Sequence, residues 1–159
     1  MEGYRLVGAI LLALSGFFGA YLANQKATYA LRQAEGWLAL LRYVKSQVDC
    51  FALPMGRILE GCERSVLREC GYGEEKRPED LEELLAHSAI RDGETERIVR
   101  GFAREFGKSY REEQTKGCAY YCELLSERRE ALASQLPTRK KMNSTLWISG
   151  ALAVVILLI

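Results

Sequence analysis

Apart from Glu2 and Arg5, charged side chains are confined to the middle of this chain. Residues 6–23 and 142–159 carry none, whereas 41 of the 118 residues from 24 to 141 are charged. The segment Leu6–Ala23 reads LVGAILLALSGFFGAYLA. As a helix it extends about 27 Å, close to the ~30 Å hydrocarbon thickness of a bilayer. A cleaved signal peptide is the rival reading, and it needs small residues one and three positions before the cut. Tyr21 and Phe18 occupy the −3 positions for cuts after Ala23 and Ala20, which favours an uncleaved anchor. Leu146–Ile159, LWISGALAVVILLI, extends only about 21 Å, and adding residues 142–145 brings it to about 27 Å. Trp147 stands near its start, where an interfacial aromatic belongs. A small soluble domain has little room to bury a helix with no polar face. The expected layout is an N-terminal transmembrane helix (1–23), a helical bundle domain (24–141) and a C-terminal transmembrane helix (142–159).

Lys26, Arg32, Arg128, Arg129, Arg139, Lys140 and Lys141 lie on the central side of these ends, against Arg5 and the α-amino group on the other. The positive-inside rule then places the central domain in the cytoplasm, in a two-span protein. The five cysteines, Cys50, Cys62, Cys70, Cys118 and Cys122, are an odd number, and a reducing compartment explains them most simply. A net charge of +1 gives no basic excess of the kind a nucleic-acid binder shows, so no nucleic-acid partner is expected. The hydrophobic content of 48% argues against disorder.

The middle reads as helix throughout. Ala27, Ala30, Leu31, Ala34, Trp37, Leu38, Leu41, Val44 and Val48 recur at steps of three and four. No proline interrupts residues 1–53, so one helix is expected to run to about Asp49, with Gly36 its weak point. Pro54 restarts a helix carrying Met55, Ile58, Leu59, Cys62, Val66 and Cys70 inward, and Gly71-Tyr72-Gly73 ends it. Pro78 opens a short helix with acids in its first turns and Leu81, Leu84 and Leu85 inward. Arg91-Asp92-Gly93 marks a turn. A helix from about Glu94 to Phe106 buries Ile98, Val99, Phe102 and Phe106. A last helix from about Tyr110 to Leu136 has the stripe Cys118, Tyr121, Cys122, Leu125, Leu132 and Leu136, with Pro137 interrupting after it. No segment alternates long enough for a strand. The fold class is all-α, an antiparallel helical bundle flanked by N- and C-terminal transmembrane helices.

Catalytic patterns are missing. There is no phosphate loop, no nucleophile elbow and no H-E-x-x-H. The single histidine, His87, follows an acidic helix, and pairs such as Glu82-Glu83 and Glu112-Glu113 read as solvated faces. Cys118 and Cys122 sit one turn apart, yet no C-x-x-C accompanies them, so they read as buried helix residues. No enzyme activity, catalytic residue, cofactor, metal site or small-molecule substrate is expected.

Residues 94–114, ETERIVRGFAREFGKSYREEQ, carry a resemblance. A hydrophobic helix ends at an aromatic-glycine pair and is followed seven residues later by glutamine, here Phe102, Phe106, Gly107 and Gln114. With the N-terminal apolar segment, the Leu53-Pro54-Met55 turn, the long polar helix and the terminal run Ile156–Ile159, this resembles the stage III sporulation protein AB family. Tyr110 stands near a usual acid, and Ala52 replaces a usual threonine before Leu53-Pro54. The matching positions Pro54, Phe102, Phe106, Gly107 and Gln114 have packing and helix-stop roles of their own.

The resemblance implies a component of the sporulation channel complex between mother cell and forespore. The family is similar to the inner-membrane platform proteins of type II secretion and type IV pilus machines. It implies a place in the mother-cell membrane around the forespore, with membrane lipid, a secretion-type ATPase and other channel membrane proteins as partners. A membrane-tethered regulatory or structural coiled-coil protein is the alternative. Contact with a polar partner surface is expected at Arg100, Arg104 and Arg111 and at Arg139, Lys140 and Lys141, because arginine is favoured at interfaces.

Overall fold

A computed structural model describes residues 2–51, 53–107 and 111–158, without the side chains of residues 2–7, 9–13, 16, 17, 111, 155, 157 and 158. Six helices follow in order: α1 (Glu2–Phe51), α2 (Met55–Gly61), α3 (Arg64–Glu69), α4 (Leu81–Ala86), α5 (Gly93–Glu105) and α6 (Arg111–Leu158). No β-strand occurs among the described residues, so the chain is all-α. The chain divides into two compact units, residues 30–132 and residues 1–29 with 133–159, and each takes part of α1 and α6.

In the unit of residues 30–132, α1 and α6 run antiparallel. Thr115 Oγ1 donates to Asp49 Oδ1 at 2.6 Å, and Arg129 Nε donates to Glu35 Oε1 at 3.3 Å. These pairs lie fourteen residues apart on both helices. That is four helical turns, so the same faces meet twice. The short helices complete a single core. α1 supplies Trp37, Leu40, Leu41, Val44 and Val48, and α2 and α3 add Ile58, Leu59 and Leu67. α4 brings Leu81, Leu84 and Leu85, α5 brings Ile98, Val99 and Phe102, and α6 brings Cys118, Tyr121 and Leu125. Most of the apolar stripe expected on these helices is buried, with Leu31, Met55, Val66, Phe106, Cys122 and Leu136 half-buried, and Leu40 widens that of α1.

Gly36 is a site of close approach rather than a weak point. A Cβ there would lie 2.7 Å from the Glu69 carbonyl carbon and 2.9 Å from the Cys70 nitrogen, so only glycine lets the end of α3 ride on α1. One turn earlier, the buried Gln33 serves three backbone groups. Its Nε2 donates to Ala89 O at 2.8 Å and Cys70 O at 3.4 Å, and its Oε1 accepts from Arg91 N at 3.0 Å. Gly71, at φ +100°, closes α3. Gly71 N donates to Arg68 O and Tyr72 N to Leu67 O, the paired bonds of a Schellman stop.

Three boundaries differ from the sequence reading. The helix expected across Met55–Cys70 breaks at Cys62-Glu63 into α2 and α3. The Arg77 guanidinium donates to the carbonyls of Leu59, Glu60 and Cys62, satisfying the end of α2 from another segment. The helix expected to open at Pro78 starts at Leu81, because Asp80 is the cap: its Oδ1 accepts from Glu83 N at 2.7 Å, in a D-x-x-E pattern. Pro137 does not interrupt, and α6 passes through it. A proline removes one backbone donor, and the rest of a long helix carries the loss.

In the unit of residues 1–29 with 133–159, the stretches of α1 and α6 also pair. Asn24 Nδ2 donates to Ser144 Oγ and Asn143 Nδ2 to Asn24 Oδ1, both at 3.4 Å. A Cβ at Gly19 would come within 2.7 Å of the Trp147 ring, so the indole lies against bare backbone. Twelve of the fifteen exposed large hydrophobic residues among the described residues belong to this unit, including Leu14, Phe18, Leu146, Leu152 and Ile156. Among the described residues no helix is long and apolar enough to cross a membrane. Most side chains of the first expected span, Leu6–Ala23, up to Phe17 lie outside the described residues.

Replacing Gln33 by Leu removes the side-chain partner of the buried Cys70 carbonyl and of two part-buried groups, the Ala89 carbonyl and the Arg91 N–H; a buried group left without a partner costs on the order of 1–3 kcal/mol. We expect Gln33→Leu to lose about 1–3 kcal/mol in denaturant titration of the full chain in detergent, followed by the fluorescence of buried Trp37. An unchanged midpoint would remove Gln33 from this role.

Candidate partner-binding site

α5 owes its start to Asp92. Asp92 Oδ2 accepts from Thr95 N at 2.9 Å and Thr95 Oγ1 at 2.8 Å, capping the helix. The same carboxylate takes Arg128 of α6 side-on, with Nη2 to Oδ1 at 2.6 Å and Nε to Oδ2 at 2.9 Å. Bidentate pairing fixes direction as well as distance, so this pair sets how α5 lies along α6. The Arg128 guanidinium holds the Asp92 carboxyl down at about 2, against the desolvation that opposes it.

Further along α5 an aromatic cluster joins the two helices. The rings of Phe102 and Phe106 are 5.2 Å apart, and Phe102 meets Tyr121 edge-on at 5.6 Å. Burial and the nearby Glu105 carboxylate push the Tyr121 hydroxyl up to about 12. Burial, with Cys122 and Asp49 nearby, pushes the Cys118 thiol up to about 11. Phe102, Glu105, Phe106, Glu113, Gln114, Gly117, Cys118 and Tyr121 line a recess of about 60 Å³. A wider open groove, about 530 Å³, lies along α5 and α6, with Ile98, Gly101, Tyr121 and Leu124 between the charged Glu94, Arg97, Glu127 and Arg128.

The recess gathers three of the five motif positions: Phe102, Phe106 and Gln114. Gly107 has φ +82°, in the turn after α5, which has already ended at the extended Phe106 (φ −61°, ψ 135°). Pro54 stands apart as the cap residue of α2, its carbonyl accepting from Arg57 N and Ile58 N. The basic candidates do not form one patch. Arg100 is held by Glu96 at 2.7 Å, a turn away on its own helix. Arg104 is exposed in the last turn of α5, where the helix dipole favours a cation. The Arg111 side chain lies outside the described residues. Arg139, Lys140 and Lys141 belong to the other unit. Sequence reasoning missed Asp92, Arg128, Glu105 and Tyr121. The D-x-x-T spacing of a helix cap was the available signal for Asp92.

A family model for stage III sporulation protein AB matches residues 74–159, which includes α4, α5 and α6. The chain belongs to that family. Membership gives this stage III sporulation protein AB relative a role in stage III of sporulation. The match contains every candidate position except Pro54. No curated protein and no solved structure matches the chain.

Asp92 has its carboxyl lowered on folding, so its stabilisation is present above the ordinary value of 3.8 and is lost as pH falls towards 2. Asp92→Asn keeps a capping oxygen and removes the charge. We expect it to cost on the order of 1–2 kcal/mol at neutral pH and almost nothing near pH 2, read from thermal unfolding against pH. Equal losses at both pH values would refute the ion-pair account. Phe102 is buried and Phe106 half-buried. We expect Phe102→Ala to cost about 3–5 kcal/mol and Phe106→Ala clearly less, in the same measurement.

Proposed function

We propose that this protein is a membrane platform of the mother cell–forespore channel complex, coupling a cytoplasmic secretion-type ATPase to channel assembly or transport. The carrying observation is the uneven surface. Exposed apolar side chains concentrate in residues 1–29 and 133–159, whereas all six ion pairs found among the described residues lie within 30–132. An apolar surface of that kind marks a membrane or partner contact, and the uncharged ends of the sequence favour the membrane. On this reading residues 6–23 and 142–159 span the mother-cell membrane around the forespore, and the 30–132 unit is cytoplasmic. The protein acts without catalysis, cofactor or metal, passing motion from the ATPase to other channel membrane proteins. The recess and groove along α5 and α6 are the surface offered to the ATPase, together with the exposed Arg104 in the last turn of α5.

The fourteen-residue spacing of the α1–α6 contacts is two heptads. It favours as a second reading a membrane-tethered regulatory or structural coiled-coil protein.

Topology tests the first reading. The five native cysteines are replaced, and single cysteines are placed at Ser126 and Ile159. In intact non-sporulating cells that carry the protein in their cytoplasmic membrane, an impermeant thiol reagent is expected to label position 159 alone. Labelling at position 126 would put the 30–132 unit outside, beyond reach of a cytoplasmic motor. Retention of the ATPase on purified protein, and its loss on Arg104→Glu with Phe106→Ala, separates the platform from the regulator.

A further inference from the structure

The hydrogen bonds of Asn24 put two stretches of the sequence in register. Asn24 meets Asn143 and Ser144 on an antiparallel helix. Lys26 lies two residues beyond Asn24, and Lys141 lies two residues before Asn143. In an antiparallel pair these are the same direction. At the helical rise, Lys26 and Lys141 stand about 3 Å past the asparagine level, Lys140 about 4.5 Å and Arg139 about 6 Å. Four cations from two helices therefore collect at one end of this unit.

In the opposite direction both helices give the same sequence of chemistry. Tyr21 and Trp147 stand three and four residues from the asparagine level, exposed among the equally exposed Leu22, Leu146 and Ile148. Leu14 on α1 and Leu152 and Ile156 on α6 follow, exposed and aliphatic. Cations, then neutral amides and a hydroxyl, then a mixed aromatic and aliphatic surface is the order of environments met on entering a bilayer from water. Neither helix alone requires it of the other; the asparagine contact aligns the two series.

The charge of the collar is uncompensated. Residues 3–29 and 133–159 contain no aspartate or glutamate. None of the ion pairs among the described residues involves Lys26, Arg139, Lys140 or Lys141, and three of the four are exposed. Arg97, Arg100, Arg128 and Arg129, by contrast, all have carboxylate partners.

The geometry points to a binding collar for the phosphate of anionic phospholipid headgroups, made by Lys26, Arg139, Lys140 and Lys141. It rests on the membrane reading of this unit, and it takes Arg139, Lys140 and Lys141 away from the ATPase surface. The ligand is a lipid phosphate, because the cations adjoin an apolar surface that an acyl chain can follow.

Trp147 is the reporter, beside the collar; the only other tryptophan, Trp37, is fully buried and gives a constant background. The full chain is reconstituted in phosphatidylcholine vesicles containing brominated phosphatidylglycerol, or brominated phosphatidylcholine at the same fraction. Brominated acyl chains quench an adjacent indole. We expect severalfold stronger apparent binding of the anionic lipid at low salt, falling as salt screens it. Lys26→Gln with Arg139→Gln, Lys140→Gln and Lys141→Gln should bring the preference to unity, with helicity unchanged by circular dichroism. Inorganic phosphate at constant ionic strength should leave the preference intact. Equal quenching by both lipids in the native chain overturns the collar and leaves the membrane reading standing. Quenching by neither overturns both. Loss of the preference to inorganic phosphate, or its survival in the quadruple variant, also overturns the collar. So does loss of ATPase retention by that variant with its lipid preference unchanged.

Discussion

The antiparallel contact of α1 with α6 is the constraint on which the 30–132 unit depends. Glu35 with Arg129 joins residues 94 positions apart, and Asp49 with Thr115 joins residues 66 apart. Closing loops of that length costs only slowly more entropy than closing short ones, but nothing local repays it. The repayment comes from the elements between. α2, α3 and α4 are six or seven residues long, too short to persist alone in water. They hold because Trp37, Leu40, Leu41 and Val44 on one side and Tyr121 and Leu125 on the other give them a surface to cover. The salt bridges themselves contribute little where exposed; they mark the register that the apolar contacts enforce.

The two proposed surfaces differ in how their charges are treated. Along α5 and α6, three of the arginines are matched to carboxylates within the chain: Arg128 to Asp92, Arg100 to Glu96, Arg97 to Glu94. Such a surface has little net field and favours a partner that recognises shape, at the aromatic recess beside Tyr121. Around Asn24 the cations are left unmatched, and such a surface acts at longer range and without regard to shape. On the proposed reading one chain would offer a precise contact and a diffuse one.

How much of this the sequence disclosed depended on whether the cause was local. The helix stop at Gly71 follows from glycine's access to positive φ and was legible, as was the turn holding Gly107 just after α5. So was the inward stripe of Ile98, Val99 and Phe102, which repeats with the helix. The break between α2 and α3 was not, because its cause is Arg77, an exposed-looking arginine fifteen residues past Cys62 that serves three carbonyls. Gly36 read as a flaw because its reason, the backbone of Glu69 and Cys70, lies on another helix. Pro137 read as an end because proline propensity is a local prior, and a long helix outweighs it. Of the candidate site, Phe102, Phe106 and Gln114 were singled out from a motif, while Glu105 and Tyr121 acquire a role only once α5 lies on α6.

The turn at Gly71 ties two positions into a single evolutionary unit. A Cβ at residue 71 would fall 2.5 Å from the Gln33 amide nitrogen, on a backbone that already disfavours any side chain. Positions 33 and 71 are therefore not free to drift separately. Among relatives that keep this turn, a glutamine at 33 should travel with a glycine at 71. A lineage that loses the glycine must shorten residue 33 in the same step or abandon the tie between the α3–α4 and α4–α5 loops. Covariation between these two columns, 38 residues apart in sequence, would be its trace.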